Sequence, residues 1–228
     1  MSSNLLKLCA LVFEDADLEE AVPNLVSSMR LFSGQMCMAP SRVYVHEETA
    51  SDFIKQYRPW SARRSNSVRE GKNQGGNLVL GGGDEEQSNG HHKGYYIAPT
   101  ISIDTPEDAR IVKEEIFGSV VSLNTFTDED DVLAKANDTE YGLYASVYTR
   151  VTGRALRFAK RPGAGAVGVH CTSPANAMDL PFGRYRASGK GRERMLDSME
   201  HYLETKTVLI KTGCGSRLIL LRSKQSNE

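Results

Sequence analysis

The chain has 228 residues, 39% hydrophobic and 25% charged, with a net charge of −1. These values exclude a disordered chain, a collagen-like chain and a small scaffold that needs disulfides to fold. Cys9, Cys37, Cys171 and Cys214 form no CxxC pair, no apolar stretch reaches 18 residues and no signal-peptide pattern opens the sequence; the expectation is a cytoplasmic protein with no metal site and no membrane span.

In chain order, Leu8–Phe13 is a continuous apolar run and predicts a buried strand. Asp17 followed by Glu20 starts a helix in the manner of a capping box. Leu18, Ala21, Val22, Leu25, Val26, Met29 and Phe32 then share one helical face, with Pro23 expected to bend it. Ser41–His46 alternates as a strand, and Glu48–Tyr57 reads as a helix. Residues 58–76 show no period and are expected to be irregular. Asn77–Leu80 reads as a strand, followed by a polar loop at 81–90 and the solvated pair His91-His92. A strand over 101–103, a helix near 106–113 and a strand over Val120–Phe126 follow. Thr127 is expected to cap a helix through Ala136. Strands over 143–149 and 166–170 flank a helix at 156–160 that Pro162-Gly163 stops. A loop over 171–189, a helix over 194–202 and a strand over 205–211 complete the pattern, and residues 212–228 are expected to be a disordered tail. Alternating strands and helices predict a three-layer α/β fold with a mostly parallel sheet.

Charge is unevenly placed. Residues 1–150 carry a net −9 and residues 151–228 a net +8. The basic part has no interleaved aromatic platform, which argues against nucleic acid. Attraction between two parts of one fold, an anionic cofactor or a neighbouring subunit are the readings left.

Cys37 is the candidate for chemistry. It lies in Ser33-Gly34-Gln35-Met36-Cys37-Met38-Ala39-Pro40-Ser41-Arg42, between the first helix and the second strand. A loop thiolate can attack a carbonyl carbon; by composition alone the thiol reads as a buried, inert one. The stretch resembles the nucleophile loop of the NAD(P)-dependent aldehyde dehydrogenase superfamily. Phe13–Asp17, Glu114-Glu115-Ile116-Phe117-Gly118, Glu140–Leu143, Leu180-Pro181-Phe182-Gly183 and Tyr202–Val208 resemble further motifs of that family, in the family's order. The resemblance implies that Cys37 is the nucleophile, that Glu115 binds the nicotinamide ribose of NAD or NADP, that Phe117 packs beside the nicotinamide, and that Phe182 lines the pocket for an aldehyde. It also implies a catalytic domain over 1–175, a return segment over 176–211, and an oligomerisation strand at 205–211.

The departures are as informative. The family's nucleotide-binding half has no counterpart here, and Gly81-Gly82-Gly83 opens no helix. Ser3 stands where the family has its general-base Glu. The segment between Phe53 and Glu70 is shortened. Ser119 replaces a Pro, His170 an Asn, and Arg184 the second Gly of the Pro-Phe-Gly-Gly turn, where a strained backbone is expected. Two readings follow: the catalytic half of an oxidoreductase, or a truncated, inactive chain. With its loop assembled, Cys37 should label with iodoacetamide before Cys9 and Cys171.

Overall fold

The computed structural model describes residues 8–61, 76–80, 99–172, 179–194, 198–199, 202–211 and 218–226. Ser3, Gly81–Gly83 and the His91-His92 pair lie outside them. Among the described residues no helix is long and apolar enough to cross a membrane.

The larger sheet runs in the order β3-β4-β5-β2-β1-β7-β8, and only β3 is antiparallel to its neighbour. Its strands are β1 (Cys9–Val12), β2 (Arg42–His46), β3 (Asn77–Leu80), β4 (Thr100–Ile103), β5 (Val120–Phe126), β7 (Tyr144–Tyr148) and β8 (Ala166–Val169). The short strand β6 (Tyr141–Gly142) precedes β7. The apolar run of β1 is explained by burial on both faces. Successive side chains point to opposite sides, so Ala10 and Val12 pack with α1 (Leu18–Arg30) and α2 (Glu47–Ser61), as do Val43 and Val45 of β2. Cys9, Leu11 and Tyr44 face the other way, toward α4 (Glu129–Asn137) and α5 (Thr152–Lys160). Helices on both faces make the three layers. A short helix, α3 (Arg110–Lys113), lies between β4 and β5.

Several local expectations change. Phe32 does not join the buried face of α1. The helix ends at Arg30, and Phe32 sits in a tight turn with φ 51°, 70% exposed. Pro23 is accommodated inside a single helix. α2 carries on to Ser61, into the stretch expected to be irregular. Asp128, not Thr127, caps α4: its Oδ1 accepts the N–H groups of Asp130 and Asp131 at 2.9 and 2.8 Å. A carboxylate also favours the positive end of the helix dipole. Of the helix expected over 194–202, Ser198 and Met199 are helical, while Arg194 lies outside it with φ 72°.

The predicted disordered tail is a correction. β12 (Leu203–Lys211) pairs antiparallel with β13 (Leu218–Ser226), and the register sets Val208, Leu209 and Ile210 opposite Leu221, Leu220 and Ile219. Matched apolar and β-branched positions on opposing strands favour a ladder that composition alone does not reveal.

Part of the charge asymmetry is met within the fold. Basic side chains of α5 meet acidic ones from the β1–α1 turn and α4. Arg154 reaches Glu14 at 2.8 Å, Asp15 at 3.0 Å and Glu129 at 2.6 Å, and stacks 4.5 Å over the Phe13 ring. Arg157 pairs with Glu129 and Arg161 with Asp130. Asp15 also accepts the N–H groups of Arg150 and Val151 and the Thr149 hydroxyl, so from a distant part of the chain it fixes the turn that leads into α5. Partial burial alone would raise the Asp15 pKa, but the Thr149 hydroxyl, the two N–H groups and Arg154 together hold it below the usual carboxylate value.

Replacing Asp15 with alanine is expected to lower the unfolding free energy by about 1–3 kcal/mol, the cost of losing hydrogen bonds to a charged group and leaving their donors unpaired. Because the folded-state pKa is depressed, this contribution is complete above the unfolded carboxylate value and disappears as pH falls through the folded one. Urea midpoints followed from about pH 6 to about pH 2 should fall less steeply for Asp15→Asn than for the parent chain.

Candidate functional site

The four candidate site residues, Cys37, Glu115, Phe117 and Phe182, lie at the amino ends of the parallel strands. Cys37 is in the turn before β2, where the Ala39 N–H donates to the Met36 carbonyl at 3.0 Å. Glu115 and Phe117 are in the loop before β5, and Tyr141–Leu143 enter β7. Two motif loops touch through backbone. Gly34 has φ 73°, and a Cβ there would lie 2.5 Å from the Gly118 carbonyl carbon and 2.7 Å from the Ser119 nitrogen. Only glycine allows that approach. The Cys37 loop is therefore held against the loop that carries Glu115 and Phe117.

Phe182 reaches the same edge from far along the chain. His170 follows β8 with φ 56°, a conformation histidine and asparagine adopt more readily than most residues; this accounts for His170 where the family has Asn. The chain then folds back. The Tyr144 hydroxyl donates to the Cys171 carbonyl at 3.2 Å, and the Thr172 hydroxyl donates to the Asn24 carbonyl of α1. Phe182 opens β9 (Phe182–Gly183), which pairs with β11 (Arg192–Glu193). β10 (Tyr185–Arg186) pairs with β6, and the buried Ser188 hydroxyl accepts the Gly142 N–H at 2.9 Å. Gly165 takes the segment backbone against backbone: a Cβ there would fall 2.0 Å from the Gly183 oxygen.

Cys37 and Phe182 consequently belong to one apolar cluster, with Leu8, Met38, Leu143 and Tyr144. Phe182 is buried and Cys37 half-buried. Glu115 is half-buried; Phe117 is 46% exposed and has φ 51°, a strained backbone for an aromatic residue. Arg184 is not strained. It is absent from the described residues with positive φ, because the tight approach falls on Gly183, where a Cβ would meet Arg192 and the Gly191 oxygen. The expected penalty for Arg184 therefore does not arise.

Burial pushes the Cys37 thiol above its ordinary pKa; Arg184 pulls it down, and Glu193 and Glu115 push it further up. Arg184 and Glu193 act at the site and were not among the residues the motifs singled out. The signal was present as a charged replacement within a motif, read as a backbone anomaly. Cys9 is fully enclosed, and its thiol is pushed up to about 11.

Sequence and fold comparisons agree on the family. The aldehyde dehydrogenase family model matches residues 7–64 and 60–208. The chain belongs to the aldehyde dehydrogenase family. Betaine aldehyde dehydrogenase of Rhizobium leguminosarum bv. trifolii is 35% identical to it over 227 residues, spanning 89% of this chain and 46% of that protein. The aldehyde dehydrogenase of Mycobacterium tuberculosis, solved as a complex with NAD+, superimposes with a TM-score of 0.82 at 27% identity, covering 92% of this chain and 48% of that one. The NAD-dependent aldehyde dehydrogenase of Sinorhizobium meliloti gives 0.83 at 28% identity, covering 93% and 46%. The chain thus spans about half the length of the curated relatives it matches.

The geometry alters the expected order of thiol labelling. Cys171 is exposed, so it should react with iodoacetamide before Cys37, and Cys9 should react only on unfolding. The Cys37 rate should keep rising with pH beyond about 9, without a plateau near neutrality. Peptide mapping of timed reactions measures all three. Gly34→Ala should cost more than about 1 kcal/mol and change the Cys37 rate, because loop and partner must separate.

Proposed function

We propose that this chain carries the nucleophile-bearing part of an NAD(P)-dependent aldehyde dehydrogenase and acts on an aldehyde through a covalent intermediate on Cys37. The support is the backbone contact of Gly34 with Gly118, which sets the thiol loop beside Glu115 and Phe117. Cys37 Sγ, once deprotonated, attacks the aldehyde carbon and carries the substrate first as a thiohemiacetal and then as a thioester. Phe182 and the apolar cluster around it flank the sulfur and keep water from one side of it.

The residues present fit one end of a dinucleotide. Phe117 offers an exposed ring face, and Glu115 offers a carboxylate with two acceptor oxygens for ribose hydroxyls. When bound, NAD or NADP supplies the hydride acceptor. The described residues contain no glycine-rich loop opening a helix for the phosphates.

Thioester hydrolysis needs a base, and Ser3 stands at the place of the family's Glu. A serine hydroxyl does not take that proton near neutral pH. A chain acylated on Cys37 should therefore hold its acyl group instead of releasing it. A second copy could add to the edge of β12 that β13 leaves unpaired.

Incubation with p-nitrophenyl acetate should leave an acetyl group on Cys37, visible by mass spectrometry and lost in Cys37→Ala. An unmodified Cys37 would overturn the nucleophile assignment. A broad aldehyde panel with either NAD or NADP should give no steady production of reduced cofactor from the chain alone. Sustained turnover abolished by Cys37→Ala would show that the chain is catalytically complete.

A further inference from the structure

Beside the Cys37 cluster lies an open groove of about 470 Å³, lined by residues 182–184 and 190–193. Its apolar wall is Phe182, which packs with the cluster that holds Cys37. Its remaining side chains bear three cations, Arg184, Lys190 and Arg192, against one anion, Glu193. The three cations do not have the same role. Arg192 is a structural clamp: its guanidinium donates to the Arg184 and Gly191 carbonyls at 3.0 and 2.9 Å and lies 5.0 Å from the Tyr185 ring centre. Lys190 and Glu193 are exposed and well solvated. Arg184 is half-buried, and among the described residues its guanidinium makes no hydrogen bond or ion pair. A half-buried arginine with no partner for its guanidinium keeps those donors available to a ligand.

We propose that Arg184 makes this groove the seat for the anionic end of the substrate, so that the site selects aldehydes that carry a carboxylate. The planar fork of a guanidinium matches a carboxylate in two parallel hydrogen bonds. Phe182 spans the distance between the two reactive ends: one side of it meets the cluster around the sulfur, and its surroundings continue into the groove. An aldehyde with a short carbon chain and a terminal carboxylate would lay its carbons on Phe182, its carboxylate on Arg184 and its carbonyl at Cys37. The charge at Arg184 also acts favourably on the thiolate, against burial and the carboxylates of Glu193 and Glu115.

This inference rests on Cys37 being the nucleophile, and its test separates the two. The full chain is alkylated with iodoacetate, which carries a carboxylate, and with iodoacetamide, its neutral counterpart. Both reagents consume the same thiolate, so the ratio of their rates at Cys37 cancels any change in thiol pKa. That ratio should exceed the one at Cys171 by about threefold or more, the effect of one nearby positive charge in a partly solvated groove. Arg184→Gln and Arg184→Gly should bring it down to the Cys171 value, Arg184→Lys should keep most of it, and Lys190→Gln should change it little. Salt near 1 M, where the Debye length is about 3 Å, should also reduce it. A Cys37 ratio equal to that of Cys171, or one that Arg184→Gln leaves unchanged, overturns the groove assignment while the nucleophile assignment stands. A Cys37 that neither reagent modifies in the folded chain overturns both.

Discussion

The contact between Gly34 and Gly118 is the constraint on which the candidate site depends. Two loops that precede neighbouring parallel strands must pass at backbone distance, and any side chain at position 34 would hold them apart. In open α/β sheets, ligands usually sit beyond the carboxyl ends of the strands, where helix amino termini point. Here the Cys37 turn, the Glu115–Phe117 loop and the Phe182 segment gather at the amino ends instead. Among the described residues no helix amino terminus precedes Cys37 in that arrangement, since the segment before it is the end of α1 and the tight turn that follows. The thiol gains no help from a helix dipole of the kind that activates some cysteines. Its neighbourhood is set by burial and by side-chain charges of both signs.

A half-buried thiol whose pKa is raised makes a slow nucleophile at rest. That property is consistent with a site whose reactivity depends on what else is present. Among the described residues the largest favourable charge comes from Arg184, on a segment that is itself assembled from distant pieces: the return over α1, the Ser188 anchor on Gly142 and the close seat on Gly165. Anything that loosens this segment therefore changes the thiol without touching it.

Much of the fold was legible because its causes are local. The run Leu8–Phe13 has no polar face and fits only a strand covered twice. Val120–Phe126 matches its strand residue for residue, and Asp17 caps α1 as its side chain predicts. The misreadings have tertiary causes. Phe32 continues a helical period, but the chain must leave the helix two residues earlier to bring Gly34 to Gly118. Thr127 and Asp128 are both good caps, and only the geometry chooses between them. The pairing of β13 with β12 depends on register over nine positions, which a Gly- and Lys-containing composition hides. At the site, the motifs located Cys37, Glu115, Phe117 and Phe182. They did not reveal the exposure of Cys171 or the groove at Arg184, because those follow from the fold-back after His170 and from the pairing of β9 with β11.

Asp15, Glu14, Thr149, Arg154 and Glu129 lie beyond the carboxyl ends of the same strands whose amino ends carry the site. The sheet therefore separates the charge network that holds the helices from the candidate site residues, with the length of a strand between them. Energetic effects at separated positions with no shared partners tend to add rather than couple. The edge that carries the candidate site can therefore change in sequence while the opposite edge goes on specifying the fold. In evolutionary terms, such a chain can lose or change its chemistry long before it loses its shape.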